Sequence, residues 1–140
     1  SALGLASGAL SGLVGITPAA GFVAPVPALV IGILTAVVCY FSVTKLKILL
    51  KYDDSMDAFG IHGIGGMVGA VLTGMFVSTT ISGASVNWFA QIEGIGITVL
   101  YSGIVSLVLL KIIDKTMGLR VDADEERQGL DISSHGERIE

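Results

Sequence analysis

Apolar residues form four long runs, at about 1–16, 22–44, 57–76 and 88–113, separated by short polar interruptions. Two stretches, Phe22 to Thr44 and Ile95 to Leu110, carry no charge at all, which is the pattern of membrane-spanning helices. The first run, SALGLASGALSGLVGI, reaches only about 24 Å at 1.5 Å per residue, short of the roughly 30 Å hydrocarbon core. The chain is therefore expected to begin inside a helix and, lacking an initiating Met, to be part of a longer polypeptide. Thr17-Pro18 ends the first run, because proline removes a backbone donor and disfavours helix before it. The second tolerates Pro25 and Pro27 in its opening turns and stops at Lys45, Lys47 and Lys51. The third comes after Asp53, Asp54 and Asp57, which can cap a helix start and suit its positive dipole end, and the fourth starts at Trp88, an interfacial anchor. These spans predict an all-α integral membrane region over 1–117, with a hydrophilic tail over 118–140.

The basic residues orient the spans. All eight Lys and Arg lie in the 45–51 loop or after Leu110, two regions that share one side if there are four spans. By the positive-inside rule that side is cytoplasmic, with loops 17–21 and 77–87 outside and the C-terminus inside. Hydrophobic residues make up 52% of the chain and charged ones 14%, and mean hydropathy is +0.82, which argues against a soluble domain. The net charge of −4 comes mostly from the tail, and nothing is basic and aromatic enough for nucleic acid. No signal peptide is evident. Cys39, the only cysteine, excludes an intrachain disulfide.

Small residues recur every fourth position: Gly4, Gly8 and Gly12 in the first span, and Gly65, Gly69 and Thr73, or Gly66, Ala70 and Gly74, in the third. In lipid, where no hydrophobic force drives association, such stripes let helix backbones approach closely. These spans predict a tight bundle.

One residue stands out chemically. His62 lies five residues after Asp57, about 7.5 Å, which places an ionisable ring below the interface and inside the membrane. Desolvation favours its neutral form, with one nitrogen donating and one accepting, suited to lining a path for a small polar solute or to relaying a proton. The alternative is a buried histidine tied to a carbonyl or hydroxyl. Asp57 reads as an N-cap, with gating or cation attraction as the alternative, while Asp53 and Asp54 read as solvated loop residues. Glu93, near the outer interface, reads as a snorkelling or helix-start charge. HGIGG is similar to an esterase oxyanion loop, but no G-x-S-x-G elbow accompanies it. The third glycine of a dinucleotide fingerprint is Val68 here. His62 and His135, the only histidines, lie on opposite sides of an apolar segment, so no metal or other cofactor is expected.

Taken together, GITPAAG (15–21), DDSMDAFGIHGIGG (53–66) and GLRV, GLD and HGE in the tail resemble the ammonium transporter family (Amt/Mep/Rh), most closely its bacterial and archaeal Amt members. The resemblance covers essentially the whole chain and corresponds to helices eight to eleven of an eleven-helix fold plus its cytoplasmic tail. It implies a transport protein rather than an enzyme, forming a homotrimer in the cytoplasmic (inner) membrane with one pore per subunit. Ammonium, or methylammonium as its analogue, would be deprotonated and passed as ammonia along a hydrophobic pore. The family's pore has two facing histidines: His62 matches the second, and the first belongs to the remaining N-terminal helices. Ala58 and Leu10 match pore-lining positions, and Asp57 an acidic residue that orders the cytoplasmic helix start.

In the tail, the resemblance gives Gly118, Leu119, Arg120, Gly129, Asp131, Ser133, His135 and Gly136 a regulatory role. This segment would contact a neighbouring subunit and help receive a PII-type signalling protein, linking the pore to nitrogen regulation. Ser133 lies where plant members carry a regulatory threonine. The competing expectation is an ammonium sensor with the same fold, which a fused signalling domain would favour; the end of the chain at Glu140, shortly after HGE, favours transport. A third reading is a structural membrane subunit in which His62 only packs.

Overall fold

The computed structural model describes residues 1–137. Among them are helices and turns but no strand. Four stretches are long and apolar enough to cross a membrane: Ala2–Ala19, Pro25–Leu50, Phe59–Phe76 and Trp88–Thr116. The first is α1 (Ala2–Ile16) with a 3-10 turn (Thr17–Ala19). The second is α2 (Pro25–Phe41), a π turn (Ser42–Leu46) and α3 (Lys47–Leu50). The third joins a second π turn (Phe59–Gly63) to α4 (Ile64–Phe76). The short α5 (Thr79–Ser82) precedes the long α6 (Trp88–Thr116).

Helix boundaries depart from the hydropathy pattern for local reasons. The second span starts at Pro25 rather than Phe22, since Ala24, just before proline, is held extended at φ −74° and ψ 163°. It continues past Thr44 to Leu50, where Lys45 and Lys47 suit the negative end of the helix dipole. The third becomes helical only after Asp57, whose own φ is +54°.

The chain forms two compact units, residues 1–97 and the residues from 98 onward. In the first, α1, α2 and α4 pack against one another. Their buried residues recur every fourth position: Ser11, Gly15 and Ala19 on α1 and its turn; Ile31, Thr35 and Cys39 on α2; Ile61, Gly65, Gly69 and Thr73 on the third span. A Cβ on Gly69 would overlap the carbonyl oxygen of Gly15, and one on Gly15 would overlap the Thr35 side chain. A Cβ on Gly65 would stand 2.9 Å from Cys39 Sγ. The core is therefore built by close approach of backbones, while large apolar side chains such as Leu3, Leu29, Ile33 and Leu49 point outward.

Of the two candidate registers in the third span, the bundle uses Gly65, Gly69 and Thr73. Gly66 has no atom within 4 Å of a Cβ, and Gly74 lies against the Trp88 ring instead. In α1, Gly12 meets Gly32, whereas Gly8 faces open space and the central contact is made by Gly15.

Polar contacts also pair the span ends. The Ser78 N–H donates to the Phe22 carbonyl at 2.8 Å, which joins the loop after α1 to the loop after α4. At the opposite end of α2, Lys47 meets Asp57 at 2.7 Å. Gln91 donates to the Ala70 carbonyl, tying the start of α6 to α4.

In the second unit, α7 (Ala123–Gln128) packs against α8 (Leu130–His135). Gly118, Gly129 and Gly136 all have positive φ, at 80°, 92° and 66°. Glycine adopts that conformation without a Cβ penalty, so the tail's glycines mark its turns. Arg120 donates two bonds to Glu126, at 3.0 and 2.6 Å. That hydrogen bond holds the Glu126 carboxyl below its usual 4.5. A depressed carboxyl adds stability above its unfolded value, so the pair's contribution is present at neutral pH and is lost on acidification.

The Gly69 contact yields a prediction. Gly69→Ala forces α1 and α4 apart at a backbone contact, at a cost of about 1–3 kcal/mol. Cys39 is buried and is the only cysteine, so its maleimide labelling in native membranes should accelerate by roughly 5- to 100-fold. An unchanged rate would contradict this packing.

Candidate functional site

The third span is organised at its start by three charged residues, Asp54 and Asp57 of the preceding loop and Lys47 of α3. Asp54 Oδ2 accepts from the backbone N–H of Phe59 at 3.0 Å and of Gly60 at 3.2 Å. Those are among the orphan donors of the helix start, so Asp54 is the cap. This corrects its assignment as a solvated loop residue. Asp57 instead directs its carboxylate to Lys47 Nζ at 2.7 Å. Lys47 also donates to the Asp54 carbonyl, so one ammonium ties both ends of the turn. Asp57 thus orders the helix start through an ion pair rather than as an N-cap. Asp53 is exposed, and so is Glu93 on α6.

Gly60 and Ile61 are buried, whereas Ala58 and His62 are exposed. The imidazole makes no hydrogen bond among the described residues, so the alternative of a histidine tied to a carbonyl or hydroxyl does not hold among them. Burial of the ring inside these helices, expected from its depth, does not hold either. Ala58 and His62 are four residues apart on the same span, and Leu10 on α1 is 42% exposed. The three positions matched to a pore lining therefore all lie on the outer surface of the helix bundle, not in its core.

Phe59, 51% exposed, lies over Gly63 and meets Tyr52 edge-on, with ring centroids 5.7 Å apart. An open groove of about 680 Å³ on α2 and α3 is lined by Val38, Phe41, Lys45, Leu49 and Ile64 and does not include His62. No group of three His, Cys, Asp or Glu able to hold a metal occurs among the described residues. The arrangement is an exposed imidazole on an apolar span whose start is held by a charged cap.

The tail residues fall into one cluster of turns. Besides the three glycines and Arg120, Ser133 Oγ–H donates to the Gly129 carbonyl at 3.1 Å. The Glu137 N–H donates to the Asp131 carbonyl at 2.9 Å. Leu119 is exposed, and His135 ends α8.

Sequence reasoning missed Gly15 and Gly60, and among the aspartates able to cap the third span it preferred Asp57 to Asp54. A cap reaching five and six residues ahead has no spacing signature, because ordinary caps reach two or three. Gly15 did have a signal, the small-residue series Ser11, Gly15, Ala19, four apart.

A family model described as Ammonium Transporter Family matches residues 1–139. An ammonium transporter of Bacillus subtilis (strain 168) is 44% identical over 146 residues, covering 97% of this chain and 36% of that protein. Ammonium transporter Amt1 of Archaeoglobus fulgidus is 42% identical over 142 residues, covering 96% and 36% respectively. The crystal structure of Candida albicans Mep2 superposes with a TM-score of 0.76 at 35% identity, covering 89% of this chain and 30% of that one. The chain thus spans about a third of the length of these relatives.

The division of labour between the two aspartates is testable. Asp54→Ala removes the acceptor for two helix-start N–H groups and should destabilise the turn by about 0.5–2 kcal/mol. Asp57→Asn loses only a half-exposed ion pair, about 0–1 kcal/mol. Hydrogen exchange of the 58–63 amides should rise clearly in the first variant and little in the second; the reverse order would return the capping role to Asp57.

Proposed function

The chain belongs to the ammonium transporter family, a family of transport proteins rather than enzymes, and is a multi-pass integral membrane protein; on that premise we propose that it carries one pore histidine, His62, of a transporter moving ammonium across the cytoplasmic membrane. The observation that carries this reading is the exposed, unbonded imidazole of His62 on an apolar span. An ionisable ring at that depth faces protein or a water-filled path rather than lipid. The matched relatives are about three times as long as this chain. In this reading, helices from the rest of such a polypeptide cover the His62 face and supply the partner histidine.

The mechanism rests on desolvation. Placing a bare cation in low dielectric carries an idealised penalty of order 20 kcal/mol, whereas a neutral molecule escapes most of it. Ammonium therefore gives up its proton before entering, and ammonia crosses an apolar path bordered by Ala58 and Leu10. Neutral His62 has one donor and one acceptor nitrogen, so it orients ammonia or carries the released proton. Asp54, Lys47 and Asp57 hold its helix start at the cytoplasmic end.

The basic residues near that end and in the tail support a cytoplasmic C-terminus. There the tail packs beneath a homotrimer, touches a neighbouring subunit and receives a PII-type protein, linking transport to nitrogen supply. Its α7–α8 turn cluster supports a folded surface over a solvated extension.

Two experiments test this reading in a chimaera in which this chain replaces the matching segment of the Bacillus subtilis relative. His62→Ala should change the rate of methylammonium uptake, or its selectivity against ammonium, at least tenfold. Unchanged rate, selectivity and current would remove His62 from the pore. Truncation after Gly118 should leave trimers intact on gel filtration while lowering uptake or its response to PII; unchanged uptake and PII binding would reduce the tail to a solvated extension.

A further inference from the structure

The third span does not begin as an α-helix. At Phe59–Gly63 the Ile64 N–H reaches the Phe59 carbonyl, five residues back, and the chain makes a π turn. The second span has its own π turn at Ser42–Leu46, where the Lys47 N–H reaches the Ser42 carbonyl. There the Thr44 hydroxyl occupies the Tyr40 carbonyl at 2.6 Å, which competes with the α ladder.

These two turns pack against each other. Gly60 makes the approach possible, since a Cβ there would lie 2.6 Å from Val43 Cγ1 and 3.3 Å from Ser42 Oγ. The Cys39 thiol donates to the Ile61 carbonyl at 3.7 Å. Asp54 fixes the N–H groups of Phe59 and Gly60 from the other side. The turn that carries His62 is thus held by a contact across helices, a thiol and a cap.

A π turn contains one residue more than an α turn, so the helix on its C-terminal side is offset from the chain on its N-terminal side by one residue, about 100° of azimuth. On the C-terminal side, Gly65 and Gly69 fix the helix in the bundle; on the N-terminal side, the Asp57 ion pair with Lys47 fixes the chain. His62 lies inside the offset segment. Collapse of the turn to α geometry would swing the imidazole relative to the surface that Ala58 shares with it.

We propose that the paired π turns are a positioning device for His62, with Gly60, Val43 and Cys39 as its positioning residues. This rests on the transport reading above. None of the three meets the solute; they set the direction of the ring that does.

The test uses the same chimaera, with uptake of ammonium and methylammonium measured separately and normalised to the protein in the membrane. Gly60→Ala should lower normalised uptake at least tenfold and shift the ammonium-to-methylammonium ratio at least threefold. Adding Val43→Ala, which removes the methyl that the new Cβ meets, should restore the ratio. A purely structural role would reduce membrane protein and leave the ratio unchanged. If Gly60→Ala fails to reach the membrane, Cys39→Ala carries the same comparison without added volume, and Cys39→Ser, which keeps a donor, should revert it. A wild-type ratio in Gly60→Ala, or in Cys39→Ala where that variant carries the test, overturns the proposal, as does failure of Val43→Ala to rescue. If His62→Ala changes uptake while the positioning variants do not, only this inference falls; if His62→Ala changes nothing, the transport reading falls with it.

Discussion

Close approach of backbones at Gly15, Thr35, Gly65 and Gly69 is the contact on which the rest of the first unit depends. Lipid supplies no hydrophobic drive between helices, so α1, α2 and α4 are held by dispersion at short range and by the polar contacts that short range allows. The core contains Ser11, Thr35, Cys39, Ser42 and Thr73 where a soluble bundle would place leucines. Ser11 and Thr73 return their hydroxyls to carbonyls one turn back, at 2.7 Å in each case. The large apolar side chains are then free to face outward. That inversion is what allows a short bundle to sit in a membrane and still present one exposed imidazole.

Electrostatics act where the bundle ends. The third span starts on a carboxylate cap, Asp54, and is tied back to the second by one lysine. Because the dipole's positive end and the Lys47 ammonium both draw negative charge, the aspartates are concentrated there and the next ionisable group along the helix is His62. A short, well-anchored turn between a charged cap and a glycine-packed helix gives the ring a defined direction.

The number of spans was legible, because charge-free runs are long-range signals that one residue cannot blur. The Ser78–Phe22 contact joins the connection after the first span to the one after the third, which alternate crossings place at the same end. Two glycine registers in the third span were equally legible, and only packing chose between them: Gly65 and Gly69 meet neighbours, while Gly66 does not. The π turns were not legible at all, since a one-residue offset leaves the hydrophobic pattern intact. His62 was conspicuous as an ionisable residue at membrane depth. Its exposure was not readable, because the cover over a helix face is set by residues far away in sequence or outside it. The tail's Gly118, Gly129 and Gly136 stood out as part of a family motif, and their positive φ gives that motif a physical reason.

Whether His62 borders the path of the solute is decided most directly by the reactivity of a thiol at that position, using His62→Cys in a Cys39→Ser background of the chimaera and a small water-soluble thiosulfonate. A residue on the path should be modified from the aqueous phase, and modification should slow in saturating ammonium, because solute and reagent share the path. Modification at the same rate with and without ammonium, or only by lipid-soluble reagents, would place residue 62 against the bilayer and contradict a pore role.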